Sequence, residues 1–339
     1  MMRFFIRLTA LAIVASLPIP LHAGAPRDAR HPSWNAMSWR ASWEMRQGPE
    51  TTEKIAKSFR VGPNGTLDIG NVSGSVIVNE GGTDTIAIDA VKRVRAREGD
   101  VKDQLERTQV TMTERAGRVE VKTTYTGRNS RTSVDYVVTA PAGTSVYAHS
   151  VSGDIKITSI RGEVRADSVS GNVTAVSAPG ATLVRSVSGD VKVSGVSNQD
   201  ALRASSISGN VTVSGAKVRS LDADSISGEI HLVDVTCDRA IAKSISGSIN
   251  FDGPLAKGGR YEFKSHSGDI HLAVASTSGF EVSASTFSGN VRSDLPVTMS
   301  AGESVGGRGA RKGIHGVHGD GSAQLVLGSF SGDVTIAKK

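Results

Sequence analysis

Apolar and polar residues alternate with a period of two along most of this chain, and a Ser-x-Ser-Gly step interrupts the alternation at nearly regular intervals. In 221–232, Leu221, Ala223 and Ser225 alternate with Asp222 and Asp224. After Gly228, Ile230 and Leu232 alternate with Glu229 and His231. A period of two is that of a strand with one buried face. The glycine between the halves fits a bend, because glycine accepts backbone angles that other residues resist. Each unit therefore predicts two short strands joined at a corner.

The unit recurs. Its glycines are Gly153, Gly171, Gly189, Gly209, Gly228, Gly247, Gly268 and Gly289, separated by 18, 18, 20, 19, 19, 21 and 21 residues, with a further copy at Gly332 and an earlier relative at Gly74. A unit this short cannot enclose a core alone, so the units must stack and bury their apolar faces on one another. Pairs such as Ile155 and Ile157, Val191 and Val193, and Ile270 and Leu272 share the inward parity. The fold class is all-β, a parallel β-solenoid with coils of about 18–21 residues. Coil length without a strict hexapeptide pattern points to a right-handed β-helix, with a left-handed or roll-like variant as the alternative.

Four segments follow. Residues 1–23 read as a signal peptide: Arg3 and Arg7 precede the apolar run Leu8–Leu17, and Leu21-His22-Ala23 is a cleavage motif. Residues 24–57 form an N-terminal extension that holds all three tryptophans, Trp34, Trp39 and Trp43, and is expected to cap the open solenoid end. Residues 58–145 are expected to form about four irregular coils, with a short helix or long loop over 92–108. Residues 146–337 carry the regular repeats. The Gly289–Gly332 interval is about two coils long, which suggests a degenerate copy or an insertion around 302–321.

The repeat also sets rows of polar groups. The first serine of each motif, Ser168, Ser186, Ser206, Ser225, Ser244 and Ser265, with Thr286, falls on the inward parity as a buried hydroxyl ladder that must find partners. Just after each glycine an outward row runs Asp154, Asn172, Asp190, Asn210, Glu229, Ser248, Asp269, Asn290. Beside it lies Lys156, Thr174, Lys192, Thr212, His231, Asn250, His271, Arg292. This is a candidate surface ladder, a polar face matched to a repetitive polymer.

Charge and cysteine narrow the picture. Loss of residues 1–23 lowers the net charge from +6 to +4, too mild and dispersed for a nucleic-acid binder. Cys237 is the one cysteine, so no intrachain disulfide forms. No second long apolar segment follows the signal, which predicts an exported chain, periplasmic or at the cell surface, without an integral membrane segment.

Candidate chemistry is sparse. Gly302-Glu303-Ser304-Val305-Gly306 matches a nucleophile elbow, but the glycine-rich sequence after it is a poor helix, which the elbow requires. His315, His318 and Asp320 form the best local metal-ligand cluster, set in a glycine-rich segment. No catalytic, cofactor or metal residue is assigned from these. The runner-up is a polysaccharide-active hydrolase or lyase on a β-helix; a third reading is a structural or regulatory envelope protein with a protein partner. Aromatics at 4% and the lack of long loops in the core repeats weigh against a sugar cleft.

The Ser-x-Ser-Gly-Asp/Asn-Ile/Val core resembles the bacterial putative-adhesin family of β-solenoid domains. So do Tyr136-Val137-Val138-Thr139-Ala140-Pro141-Ala142-Gly143 and the ending Gly313–Gly321 closed by Ser329-Phe330-Ser331-Gly332-Asp333-Val334. The resemblance spans about Phe59 to Ile336 and implies a β-solenoid with an adhesin-like or cell-envelope role. It brings no catalytic residues and no cofactor; the partner is expected to be a cell-surface polymer or an envelope protein.

Overall fold

The computed structural model describes residues 50–96, 99–127, 131–299 and 312–339. The signal peptide, the tryptophan-bearing residues and the Gly302–Gly306 motif lie outside the described residues. What is described is a stack of coils, each giving one strand to either of two long sheets of 13 and 14 strands. The regular coils pair β8 (Ser145–Ser152) with β9 (Ile155–Thr158), β10 (Val164–Ser170) with β11 (Val173–Val176), and β12 (Ala181–Ser188) with β13 (Val191–Ser194). They continue through β14 (Ala201–Ser208) and β15 (Val211–Ser214), β16 (Lys217–Ser225) and β17 (Ile230–Val233), and β18 (Thr236–Ser244) and β19 (Ile249–Asp252). The seventh is β20 (Arg260–Ser267) with β21 (Ile270–Val274). Even-numbered strands form the second sheet, odd-numbered ones the first, and each pairs in parallel with its counterpart in the next coil.

Register follows from the pattern. Val173 pairs with Val191 and Ile155, and Ser186 with Ser168 and Ser206, so identical positions stack at about 4.8 Å. The inward residues Ile155, Ile157, Val191, Val211, Leu221, Ile230 and Ile270 are buried. A second corner follows each of the first-sheet strands β9, β11, β13, β15 and β17. Ser159, Ser177, Gly195, Gly215 and Asp234 hold it with φ between +49° and +65°. The next residue, Ile160, Ala178, Val196, Ala216 or Val235, closes the core from the third side. Near one end the core widens around Phe251, which meets Tyr261 edge-on at 5.7 Å and Phe263 at 5.4 Å.

At both ends the coils stack out of chain order. The N-terminal part comprises β1 (Glu50–Arg60), β2 (Thr66–Ser73), β3 (Val76–Glu80), β4 (Thr85–Arg95), α1 (Val101–Glu106), β5 (Thr108–Arg115), β6 (Arg118–Tyr125) and β7 (Thr132–Ala140). The coil β2–β3 docks directly on β8–β9, and β6–β7 stacks on its far side. β1, β4 and β5 run antiparallel along the outer edges. The expectation of four irregular coils over 58–145 is therefore corrected to two parallel coils with antiparallel edge strands. The separation of 79 residues from Gly74 to Gly153 takes in the edge strands β4 and β5 and α1 besides the coil β6–β7, rather than further turns.

The C-terminal part comprises β22 (Phe280–Thr286), β23 (Val291–Ser293), β24 (Thr298–Met299), β25 (Lys312–His318), β26 (Ala323–Ser331) and β27 (Val334–Lys338). Coil β26–β27, last in the chain, lies between β20–β21 and β22–β23. The long Gly289–Gly332 interval is thus no degenerate copy, and its described part fits the insertion alternative. Its described strands, β24 and β25, run antiparallel outside β22.

Candidate functional site

The inward serines are fastened to the backbone. Ser168, Ser186, Ser206, Ser225 and Ser265 each donate to the carbonyl oxygen of the repeat glycine one coil back, at 3.2, 2.8, 2.9, 3.1 and 3.1 Å. Thr286 and Ser329 repeat the contact across the out-of-order coils, to Gly332 and Gly268. These hydroxyls are buried and committed, which makes the row structural rather than a set of nucleophiles. In the β2–β3 coil Asn71 takes the serine's place. Its amide donates to the Gly74 and Val134 carbonyls, and its oxygen accepts from Thr123.

The polar ladder after the glycines is brought together along one corner of the stack, and it too is hydrogen-bonded. The side-chain oxygen of Asp154 accepts the Asn172 N–H at 2.7 Å, Asn172 that of Asp190 at 2.9 Å, Asp190 that of Asn210 at 2.9 Å, and Asn210 that of Glu229 at 2.9 Å. The series resumes with Asp269, which accepts from Asp333, and Asp333, which accepts from Asn290. Asp333 joins because its coil is inserted there. A short side chain with an oxygen two bonds from Cβ is what this contact needs, which explains why Asp and Asn interchange. Beside the ladder, on the first sheet, lie Lys156, Thr174, Lys192, Thr212, His231, Asn250, His271, Thr335 and Arg292 in coil order. Lys156, Lys192, His271 and Arg292 are exposed, and His231 reaches Glu229 at 2.9 Å.

The second sheet carries a feature that the sequence reading missed. The x of each Ser-x-Ser-Gly points outward as Val151, Val169, Val187, Ile207, Ile226, Ile245, His266, Phe330 and Phe287 in coil order. Of the eleven exposed large apolar side chains among the described residues, eight stand in this row, so the exposure is organised rather than scattered. The row ends in a ring stack: His266 on Phe330 at 4.9 Å, and Phe330 on Phe287 at 5.0 Å. Two residues earlier in each strand runs a charged row, His149, Asp167, Arg185, Ser205, Asp224, Lys243, Lys264. The two rows border a shallow groove of about 570 Å³ lined by residues from His149 to Ile245. Arg185 pairs with Asp167 at 2.6 Å, and Arg203, at the groove's edge, with Asp224 at 3.5 Å. The signal was available: every x in six consecutive repeats is Val or Ile on the outward parity.

Beside β8 and β10, Glu163 accepts from the Tyr147 hydroxyl at 2.8 Å and from Arg165 at 2.8 Å, with Arg165 over the Tyr147 ring. The Tyr147 hydrogen bond, then Arg165, holds the Glu163 carboxyl below the usual carboxylate range. His315, His318 and Asp320 do not converge. The His318 ring nitrogens face the Pro296 and Ser276 carbonyl oxygens at 2.7 and 3.3 Å, and Asp320 accepts from the Ser322 N–H. Among the described residues no group of three metal-ligating side chains comes together, and no helix is long and apolar enough to cross a membrane.

The Toastrack DUF4097 family model matches residues 64–337. The chain belongs to this family. Among solved structures, a putative adhesin from Bacteroides fragilis aligns at 10% identity and TM-score 0.40, over 84% of this chain and 97% of that chain. A putative adhesin from Parabacteroides merdae aligns at 12% identity and TM-score 0.42, over 84% and 97%. A putative lipid binding protein from Parabacteroides distasonis aligns at 14% identity and TM-score 0.39, over 83% and 96%. A search among curated proteins finds no match. Within the Toastrack domain the match covers every regular coil and both out-of-order coils.

Proposed function

We propose that this Toastrack chain is an exported, non-enzymatic solenoid of the cell envelope with an adhesin-like role, and that it binds a repetitive polar polymer through the outer face of its first sheet. One observation carries the reading. The row from Lys156 to Arg292 and the neighbouring Asp/Asn ladder repeat polar groups at every coil. A polymer with a repeat near the coil spacing of about 4.8 Å meets an equivalent group at each step, so weak contacts sum along the axis. Each ladder aspartate spends one oxygen on the neighbouring coil and keeps the other for an outside donor. Engagement of the serine row by glycine carbonyls supports binding over catalysis. The test is a panel of acidic and neutral glycans offered to the purified mature protein: saturable binding without product release supports the reading, and turnover abolished by one carboxylate substitution overturns it.

A further inference from the structure

We propose that the apolar row of the second sheet is the seat of a second copy of this chain, in an antiparallel dimer whose two-fold axis runs along the strand direction through Ser205 and Ile207. This concerns the face opposite to the polymer-binding reading and does not depend on it. The row is contiguous, exposed and apolar from Val151 to Ile245 along the stack of regular coils, an organised patch rather than scattered side chains. From Val151 to Phe287 it runs for nine coils, about 38 Å at about 4.8 Å per coil.

The charged row beside it selects the occupant and the register. In coil order it reads His149, Asp167, Arg185, Ser205, Asp224, Lys243, Lys264. A two-fold along the strand direction lays this row on itself reversed. Centred on Ser205, it sets Arg185 against Asp224 and Asp167 against Lys243, each twice by symmetry. The flanking positions Gly70 and Gly328, one coil beyond His149 and Lys264, also face one another and leave room for approach. Other centres fail. Half a coil either way opposes Asp167 to Asp224 or Arg185 to Lys243, and a full coil either way forfeits both opposite-charge pairs. Like charges across an interface suppress the wrong register more strongly than opposite ones reward the right register.

The apolar row then meets itself with Ile207 on Ile207, Val187 on Ile226 and Val169 on Ile245. The outermost charged pair, His149 opposite Lys264, adds no attraction. Arg203, on the same strand as Ser205, faces its own copy across the axis; its charge is balanced within each chain by Asp224 at 3.5 Å. The coil-to-coil pair Asp167–Arg185 within each chain becomes part of an alternating lattice with the charges of the other copy.

The experiment is sedimentation equilibrium of the mature protein over a wide concentration range, with Ile207→Asp alongside. Ile207 is 44% exposed, so the substitution leaves the core alone, and circular dichroism confirms the fold. The wild type is expected to dimerise reversibly and the variant, which opposes two carboxylates on the axis, to dissociate at least tenfold more readily. Register is read by a short bis-maleimide: Val169→Cys mixed with Ile245→Cys should crosslink, and Val169→Cys alone should not. A monomeric wild type at all concentrations overturns the proposal, as does a dimer indifferent to Ile207→Asp. Self-crosslinking of Val169→Cys overturns the antiparallel register.

Discussion

Ser206 and Gly209 converge on one atom of the coil below, the Gly189 carbonyl oxygen: Ser206 donates its hydroxyl to it at 2.9 Å, and a β-carbon on Gly209 would overlap it. The same relation recurs at Ser225 and Gly228 over the Gly209 carbonyl. From Ser168 onward the corner of each coil is thus defined by one acceptor that attracts a hydroxyl and leaves no room for a side chain. This is why serine and glycine are coupled three residues apart throughout the repeats.

Substitution at Gly209 follows directly. The overlap begins at the β-carbon and falls on backbone, so Gly209→Ala should destabilise the fold by well over the ~1 kcal/mol of an ordinary substitution, nearly as much as Gly209→Val. The clash is complete at the β-carbon, so the further methyls of valine add little to it. Gly215 is the control. An added β-carbon there meets nothing within 4 Å, and only its φ of +58° resists alanine, at about 1–2 kcal/mol. Thermal melts of the three variants check the order; an unchanged melting temperature for Gly209→Ala would contradict this corner geometry.

The Asp/Asn ladder predicts tolerance of one change and not another. Asp190→Asn keeps an oxygen for the Asn210 N–H and should shift stability little. Asp190→Ala removes the acceptor and should cost about 1 kcal/mol. Urea titrations distinguish the two, and equal losses would show that the charge rather than the hydrogen bond matters there.

Much of this was legible in the chain because a solenoid repeats its own rules. The inward pairs such as Val191 and Val193, the serine ladder and the corner glycines each appear once per coil, so the period and the parity locate them. The order of the coils at the ends was not legible. β26–β27 presents the same serine, glycine and apolar residues as every other coil, so local pattern fits it equally well after Gly268 or after Gly289. Its place is set by long-range pairing, Leu325 beside Tyr261 and Val282. Likewise Val76 pairs with Ile155 across most of the N-terminal part. The exposed row from Val151 to Phe287 escaped notice because attention to inward parity treats the x of Ser-x-Ser-Gly as filler.

Two buried acids and one half-buried acid should make the protein sensitive to alkali. Burial pushes the Cys237 thiol up to about 12, with Asp238 adding to it, and burial likewise pushes the Tyr125 and Tyr261 hydroxyls to about 12. The unfolded chain releases these protons at about 8.5–10. Between those values and about 12 the folded state holds more protons, so stability is complete below the unfolded values and falls as pH rises. Denaturation midpoints should be steady near neutrality and decline above about pH 9. Cys237 should resist Ellman's reagent at pH 8 until the chain unfolds; rapid labelling of the native protein would contradict its burial.

The central claim, a polar face that binds without turning over, is tested most directly by one binding isotherm measured together with product analysis. Lys156 and Lys192 are exposed on that face and remote from the core contacts. An envelope polymer that binds the wild type saturably should bind Lys156→Glu/Lys192→Glu at least tenfold more weakly, with the polymer's chain length unchanged by either protein and both proteins equally stable. Equal affinity for the double variant, or shortening of the polymer by the wild type, would contradict the account.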